Sequence, residues 1–189
     1  RLTGTQSEFG AEYDSMSDMV SFGVAPALIV YEWALKDMDQ WGWIIAFIYC
    51  ACAALRLARF NTNIEVVDKR FFQGLPSPAA AALIAGLVWV MLNFQVQGSD
   101  IKWLASIVTL FAALTMVSNI PYYSGKEINL RRRVPFFTVL LLVLFFFVLI
   151  PSHPPLVLFF LFAAYAFSGY FVKLWRFGRS KKNSEPPSS

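Results

Sequence analysis

The chain is poor in charge and in the residues that hold soft metals. Of its 189 residues 15% are charged, and it has one histidine and two cysteines. Cys50 and Cys52 lie two positions apart in an apolar stretch, where a helix would point them to different faces, so we expect neither a disulfide nor a metal site. His153 lies in the short segment Pro151 to Pro155 without another histidine or cysteine nearby, and we interpret it as loop surface.

Apolar residues, in contrast, make up 57% of the chain and form long blocks. Six blocks are long enough to cross about 30 Å of hydrocarbon as helices: 15–35, 41–58, 77–94, 103–120, 134–150 and 156–172. No internal repeat or pair of interrupted segments typical of inverted-repeat transporters is visible. We therefore predict an all-α, polytopic transmembrane helix bundle with six transmembrane helices, a single membrane domain at 1–176 and a disordered basic cytoplasmic tail at 177–189.

The basic residues are distributed unevenly over the predicted loops. With alternating helices, Lys36 and Lys102 fall on one side of the membrane and the other fourteen of the sixteen Lys and Arg on the opposite side. Because cytoplasmic loops carry the excess of basic residues, we place both termini on the cytoplasmic side. The net charge of +4 follows from this bias, and anionic lipid head groups explain it better than nucleic acid.

Two aspartates occur at the start of the first predicted helix. Gly10, Asp14 and Asp18 recur every four residues and therefore share one stripe of a helix. An aspartate in a membrane helix costs about 2.5 to 3.5 kcal/mol, so the stripe indicates a site that could hold metal ions. The alternative is that both carboxylates are solvated at the helix entrance. Glu32 lies near Lys36 at the other end of the first predicted helix, and we interpret it as an interfacial carboxylate.

A second polar cluster, formed by Arg56, Arg59 and Asn61, ends the next predicted helix. Because that helix runs antiparallel to the first, its end returns to the depth of Asp14 and Asp18. Guanidinium groups match phosphate and carboxylate geometry, so the cluster could bind an anion. Anchoring at the positive-inside surface is the alternative. The polar loops 72–78 and 118–126 could serve a substrate, although turns and helix caps are the commoner role for their Ser and Asn.

The spacing of Arg1, Gly10, Asp14 and Asp18 resembles the second half of a family signature. The pattern of the CDP-alcohol phosphotransferases is D-x-x-D-G-x-x-A-R-x8-G-x-x-x-D-x-x-x-D, and it is matched by Arg1, Gly10, Asp14 and Asp18. Most of the chain is similar to bacterial members that use serine, above all the segments 10–31, 56–61, 71–82 and 119–126. The resemblance implies transfer of a phosphatidyl group from CDP-diacylglycerol to the hydroxyl of L-serine, giving phosphatidylserine and CMP.

The resemblance also implies roles for individual residues. Asp14 would be a ligand of a divalent metal, Mg²⁺ or Mn²⁺, and Asp18 would be a second ligand and the general base for the serine hydroxyl. The substrate-binding residues would be Arg1 and Gly10 on the nucleotide side, and Arg56, Arg59 and Asn61 for phosphate or the serine carboxylate.

By the same resemblance we expect a homodimer in the bacterial inner membrane, and the distribution of Lys and Arg places its active site on the cytoplasmic side. The first half of the signature would precede Arg1, in a full-length protein of eight helices, and we expect the chain to be inactive alone. Two alternatives stay open. One is a related enzyme with another acceptor, such as glycerol 3-phosphate or inositol phosphate. The other is a cation or proton transporter that uses Asp14 and Asp18. It would need an acidic residue or a water path in the outer half, where only Glu32 qualifies.

Overall fold

The structure, a computed structural model, describes residues 8–62, 71–123 and 153–182. Its α-helices in chain order are α1 (Glu8–Met19), α2 (Ala25–Val30), α3 (Gln40–Thr62), α4 (Ser77–Asn93), α5 (Lys102–Val117) and α6 (Pro154–Lys182). Two short antiparallel strands lie in the connections, β1 (Phe71–Gln73) and β2 (Pro121–Tyr123). The predicted all-α membrane bundle is confirmed as the fold class.

Four helical segments are long and apolar enough to cross a membrane: Glu12–Met38, Gln40–Thr62, Gly98–Val117 and Pro154–Phe171. The apolar helix α4 has 17 residues and is shorter than these four. These five elements match five of the six predicted blocks, and the block 134–150 lies outside the described residues. The count of six therefore stays a prediction. α6 continues to Lys182, past the predicted end of the membrane domain at residue 176.

The first membrane segment is one helix with a wide turn in the middle. α1 passes into α2 through a π-helical turn, Val20–Val24, and Pro26 follows at the start of α2. Proline has no N–H, so Pro26 cannot donate to the carbonyl four residues earlier, which is that of Phe22. The Tyr49 hydroxyl of α3 donates to this carbonyl at 3.0 Å. The Phe22 carbonyl thus has a hydrogen-bond donor, and this bond fastens the first helix to α3.

Hydrogen bonds at the two ends of the bundle show that the first membrane helix, α3, α4 and α5 alternate in direction. At one end Arg56 of α3 reaches Ser77 at the start of α4, and Arg59 reaches the carbonyl of Val117 at the finish of α5. At the opposite end the Lys102 ammonium lies 3.5 Å from the Asp37 carbonyl. We call the first of these the aspartate end, because α1 brings Asp14 and Asp18 there. The antiparallel return of α3 to the depth of these aspartates is confirmed.

Small side chains make close contact between the helices possible. Ala53 of α3 and Ala112 and Ala113 of α5 are fully buried, and α3 packs mainly against α5. Large apolar side chains such as Trp41 and Trp103 instead point outward and are more than half exposed. An outer surface of this kind suits contact with lipid, where backbone polar groups must be satisfied within the helices.

The two strands join loops at the aspartate end and hold α6 in place. Gly74, directly after β1, has φ +78 and donates its N–H to the Ile120 carbonyl at 2.9 Å. Tyr122 in β2 is fully buried and donates its hydroxyl to the Ala166 carbonyl of α6 at 2.6 Å. Burial raises the pKa of Tyr122, which keeps the phenol protonated as a donor.

The contact between Tyr122 and Gly169 yields a stability prediction. A Cβ atom added at Gly169 would lie 2.5 Å from Cζ of the Tyr122 ring, so Gly169→Ala forces the ring or α6 to move. We expect a loss of about 1 to 3 kcal/mol, the usual range for overpacking. It would appear as a lower thermal unfolding midpoint in detergent.

Gly86→Ala is the matched control, since it makes the same replacement where α4 meets α6. There the nearest atom, Cα of Phe159, lies 3.3 Å from the added Cβ. The helix propensity gained from alanine, about 1 kcal/mol, should offset this tight contact and leave the midpoint nearly unchanged. Equal midpoints for the two variants would contradict the close packing of Tyr122 on Gly169.

Candidate active site

The acidic stripe lies on α1 at the aspartate end of the bundle. Asp14 is exposed and Asp18, one turn further into the helix, is half-buried. Ser15, between them, accepts a hydrogen bond from the Asn61 amide of α3 at 3.0 Å. The stripe is thus fastened to the polar end of α3. The predicted cluster around Asn61 and the predicted stripe form one surface.

Arg56 at the end of α3 is half-buried and points toward the neighbouring helix α4. Its guanidinium donates from Nη1 to the Ser77 hydroxyl at 2.8 Å, and Ser77 is 1% exposed. Its Nε is buried and has no hydrogen-bond partner within the described part of the chain. The guanidinium also lies within electrostatic range of Asp18 and Tyr165. An arginine that only anchored the helix would extend into water, so this inward orientation favours the predicted anion site.

Arg59 forms a hydrogen bond with the end of α5. It donates from Nη1 to the carbonyl of Val117, the last residue of α5, at 3.1 Å. The last carbonyls of a helix have no partner in that helix and carry partial negative charge, which a cation stabilises. Arg56 and Arg59 share a face by sequence, but one contacts α4 and the other contacts α5. Arg59 thus contributes to the packing of α5 in addition to any contact with a ligand.

The remaining candidate residues either lie at the aspartate end or fall outside the residues that the structure describes. Gly10 is on α1, one turn before Asp14, and is exposed. Arg1 lies outside the described residues. In the second polar loop the Ser118 hydroxyl donates to the Thr115 carbonyl at 2.8 Å, which is a helix-end role. Ser77 in the first polar loop differs, because its hydroxyl accepts a hydrogen bond from the half-buried Arg56.

Two residues near this surface carry little or no signal in the sequence. Ser15 lies between the aspartates, and its pairing with Asn61 follows only once α1 and α3 are packed together. Tyr165 is one of many aromatic residues in an apolar helix, and its spacing gives no reason to link it with Arg56. Sequence analysis therefore missed both.

The carboxylates of Asp14 and Asp18 fit the chemistry of a site for a divalent cation. Their hard oxygen atoms are the ligands that Mg²⁺ and Mn²⁺ prefer, and Mg²⁺ is often bound by one or two carboxylates together with substrate phosphates. Among the residues described, no group of three or more metal-binding side chains occurs. Two carboxylates of this kind could provide part of a ligand set.

Comparison with known proteins identifies a family and several relatives with similar sequences. The profile described as CDP-alcohol phosphatidyltransferase matches residues 1–118, a family that generally depends on divalent metal. A protein of Helicobacter pylori (strain ATCC 700392 / 26695) named CDP-diacylglycerol--serine O-phosphatidyltransferase is 38% identical over 129 residues, which cover 68% of this chain and 54% of that protein. A protein of the same name from Methanocaldococcus jannaschii is 41% identical over 122 residues, covering 65% of this chain and 53% of the relative.

A third relative with that name, from Saccharomyces cerevisiae, is 36% identical over 96 residues, covering 47% of this chain and 34% of the relative. The chain spans about half the length of the bacterial and archaeal relatives that it matches. The matched residues 1–118 include α1, α3, α4 and α5, which carry the aspartate stripe, both arginines and their partners. By profile and by relatives, the chain belongs to the CDP-alcohol phosphatidyltransferase family.

Proposed function

We propose that the protein containing this chain transfers a phosphatidyl group from CDP-diacylglycerol to the hydroxyl of L-serine, giving phosphatidylserine and CMP. The relatives that share this sequence are named for that reaction. The observation that carries the proposal is the inward-facing Arg56, which lies within electrostatic range of Asp18 at the aspartate end. A base for the acceptor hydroxyl and a guanidinium for an anionic group are the two elements that an amino-acid acceptor needs.

In this proposal Asp18 acts on the acceptor. A serine hydroxyl is a weak nucleophile, and the Asp18 carboxylate would take its proton as the oxygen attacks the phosphorus of the phosphatidyl group. The bond from that phosphorus to the bridging oxygen breaks, and CMP leaves with the electron pair. The half-buried position of Asp18, one turn inside the exposed Asp14, supports this role.

Asp14 and Asp18 would together hold the divalent metal, Mg²⁺ or Mn²⁺. When bound, the metal would neutralise the diphosphate of CDP-diacylglycerol and stabilise the negative charge on departing CMP. Gly10, which has no side chain, would let the nucleotide lie against α1 one turn before Asp14. Arg1 is assigned to the nucleotide by resemblance alone.

Arg56 would bind the carboxylate of serine or a phosphate oxygen, since its bond to Ser77 uses one of the five N–H donors of a guanidinium. Arg59 donates to Val117 and would contribute with its other N–H groups. Asn61 would hold the stripe in place through Ser15 as well as line the substrate site.

The setting that we propose is a bacterial inner membrane, with the aspartate end on the cytoplasmic side and the enzyme as a homodimer. The positive-inside bias supports the orientation, because Lys36 and Lys102 lie at the opposite end. There Lys36 forms an ion pair of 2.9 Å with Glu32, and both side chains are exposed. Diacyl chains of the donor would enter from the surrounding lipid.

An acceptor screen with the purified natural protein that contains this chain tests the proposal. CDP-diacylglycerol and Mn²⁺ are supplied with L-serine, glycerol 3-phosphate or inositol phosphate, and release of CMP is measured. We expect release with L-serine and formation of phosphatidylserine. Release with a phosphorylated alcohol and none with serine would assign another acceptor. Cation flux into proteoliposomes without any CMP release would favour the transporter alternative.

The role of Asp18 leads to a prediction for the variant Asp18→Asn. Without a base, turnover should fall by about 100-fold or more, the usual contribution of general base catalysis. At saturating Mn²⁺, which compensates for the weakened metal contact, binding of CDP-diacylglycerol should stay close to wild type, as should the thermal midpoint. Asp100→Asn, the same change at the exposed opposite end, should leave turnover unchanged. Turnover of Asp18→Asn within twofold of wild type would remove Asp18 from the role of base.

Asp14→Asn should act on metal affinity. Loss of even an indirect contact to a metal typically costs about 10- to 100-fold in affinity, so loss of a direct ligand should raise the metal concentration for half-maximal activity at least about tenfold. The measurement is a Mn²⁺ titration of CMP release, with Asp100→Asn again as the control. A titration curve that coincides with that of the wild type would exclude Asp14 as a ligand.

A further inference from the structure

Hydrogen bonds at the aspartate end join α3, α4 and α5 in a closed network. Arg56 of α3 donates from Nη1 to the hydroxyl of Ser77, the first residue of α4, at 2.8 Å. The N–H of Leu75, two residues earlier, donates to the Thr115 carbonyl of α5 at 3.1 Å. Arg59 of α3 closes the network through its bond of 3.1 Å to the last carbonyl of α5. The start of α4 is therefore held by both neighbouring helices.

The segment that leads into Ser77 is packed tightly against the end of α5. Gly74 donates its N–H to the Ile120 carbonyl at 2.9 Å and has φ +78. A Cβ atom added at Gly74 would overlap the carbonyl oxygen of Met116, so the two backbones are in direct contact there. Ser77 itself is 1% exposed, and its hydroxyl cannot move away from Arg56 unless the start of α4 moves as well.

The two arginines of α3 differ in their electrostatic surroundings. Arg59 contacts the carboxyl end of α5, whose partial negative charge stabilises a cation. Arg56 contacts the amino end of α4, whose partial positive charge does not. Its Nε is also buried and has no hydrogen-bond partner among the described residues. Helix packing accounts for the position of Arg59, whereas the position of Arg56 favours an anionic group beside its guanidinium.

Helix geometry places Arg56 slightly further from the aspartate end than Asp18. The hydrogen bond between Asn61 and Ser15 shows that α3 and α1 are level at these two residues. At about 1.5 Å per residue, Asp18 lies about 4.5 Å deeper than Ser15. Arg56 lies about 7.5 Å deeper than Asn61, which puts its backbone about 3 Å beyond that of Asp18. The hydroxyl and the carboxylate of L-serine are attached to neighbouring carbon atoms, so an acceptor with its hydroxyl at Asp18 could present its carboxylate to Arg56.

We propose that Ser77 is a positioning residue, which directs the Arg56 guanidinium toward the carboxylate of the acceptor. The N–H donors of a guanidinium form a rigid planar fork, so a hydrogen bond at Nη1 restricts the direction in which the other donors point. A carboxylate then meets donors that are already oriented, and less free energy is lost in ordering the arginine on binding. This inference rests on the proposed function, with L-serine as the acceptor.

Ser77→Ala in the natural protein that contains this chain tests the inference, since it removes only the hydroxyl. We expect the KM for L-serine to rise about tenfold, as for the loss of a hydrogen bond to a charged group. The kcat and the KM for CDP-diacylglycerol should stay within about twofold, because the base and the metal ligands are untouched. A rise in the KM for CDP-diacylglycerol with an unchanged KM for L-serine would assign Arg56 to the donor and overturn the inference.

Ser106→Ala is the matched control, because it removes another buried serine hydroxyl, at the opposite end of the bundle. Ser106 is 4% exposed and donates to the Lys102 carbonyl within its own helix at 2.7 Å. The variant should lower the thermal midpoint and leave the KM for L-serine unchanged. If Ser77→Ala gives that same pattern, Ser77 is merely structural and the inference is overturned.

A double-mutant cycle with Arg56→Lys tests whether Ser77 acts through the arginine. Lysine keeps the charge and loses the planar fork, so adding Ser77→Ala to Arg56→Lys should raise the KM for L-serine by less than about twofold. A further rise of about tenfold would show that the two residues act independently and would contradict the inference. Absence of serine transfer in the wild-type protein would overturn the proposed function and this inference together. Serine transfer with an unchanged KM in Ser77→Ala would overturn the inference alone.

Discussion

A backbone carbonyl without a donor is costly in the apolar interior of a membrane protein, and Pro26 leaves one at Phe22. The hydroxyl of Tyr49 satisfies this carbonyl, and the bond joins the first membrane helix to α3 near the middle of both. Asn61 joins the same two helices again through Ser15 at the aspartate end. With α1 held against α3 at these two points, the depth of Asp14 and Asp18 relative to Arg56 is fixed. The candidate active site depends on this pairing.

The fold and the placement of Asp14, Asp18 and Arg56 follow from the sequence because they rest on short-range patterns. Apolar blocks of membrane length give the helices, and four-residue spacing gives the stripe of Asp14 and Asp18. The antiparallel return of α3 then brings Arg56 to the same depth without any knowledge of packing. These three elements needed only helix geometry and the thickness of a bilayer.

The parts that the sequence did not reveal depend on which helix packs against which. Arg56 and Arg59 lie three residues apart and appear equivalent, but packing turns one toward Ser77 and the other toward the end of α5. Tyr165 comes more than a hundred residues after Arg56 in an apolar helix, and only the register fixed by Tyr122 brings it near. Glu32, the carboxylate that a transporter would need at the end opposite Asp14 and Asp18, is exposed and paired with Lys36, which suits an interfacial ion pair.

The central claim is that α1 and α3 meet at one polar end to form a single substrate site. Cross-linking of Ser15→Cys with Asn61→Cys, in native membranes and without Cys50 and Cys52, tests it most directly. The native side chains are 3.0 Å apart, so a short methanethiosulfonate reagent should join them within one copy, more slowly when CDP-diacylglycerol is present. Ser15→Cys with Asp100→Cys, at opposite ends, should not react. Absence of the first cross-link, or a rate that CDP-diacylglycerol leaves unchanged, would contradict the account.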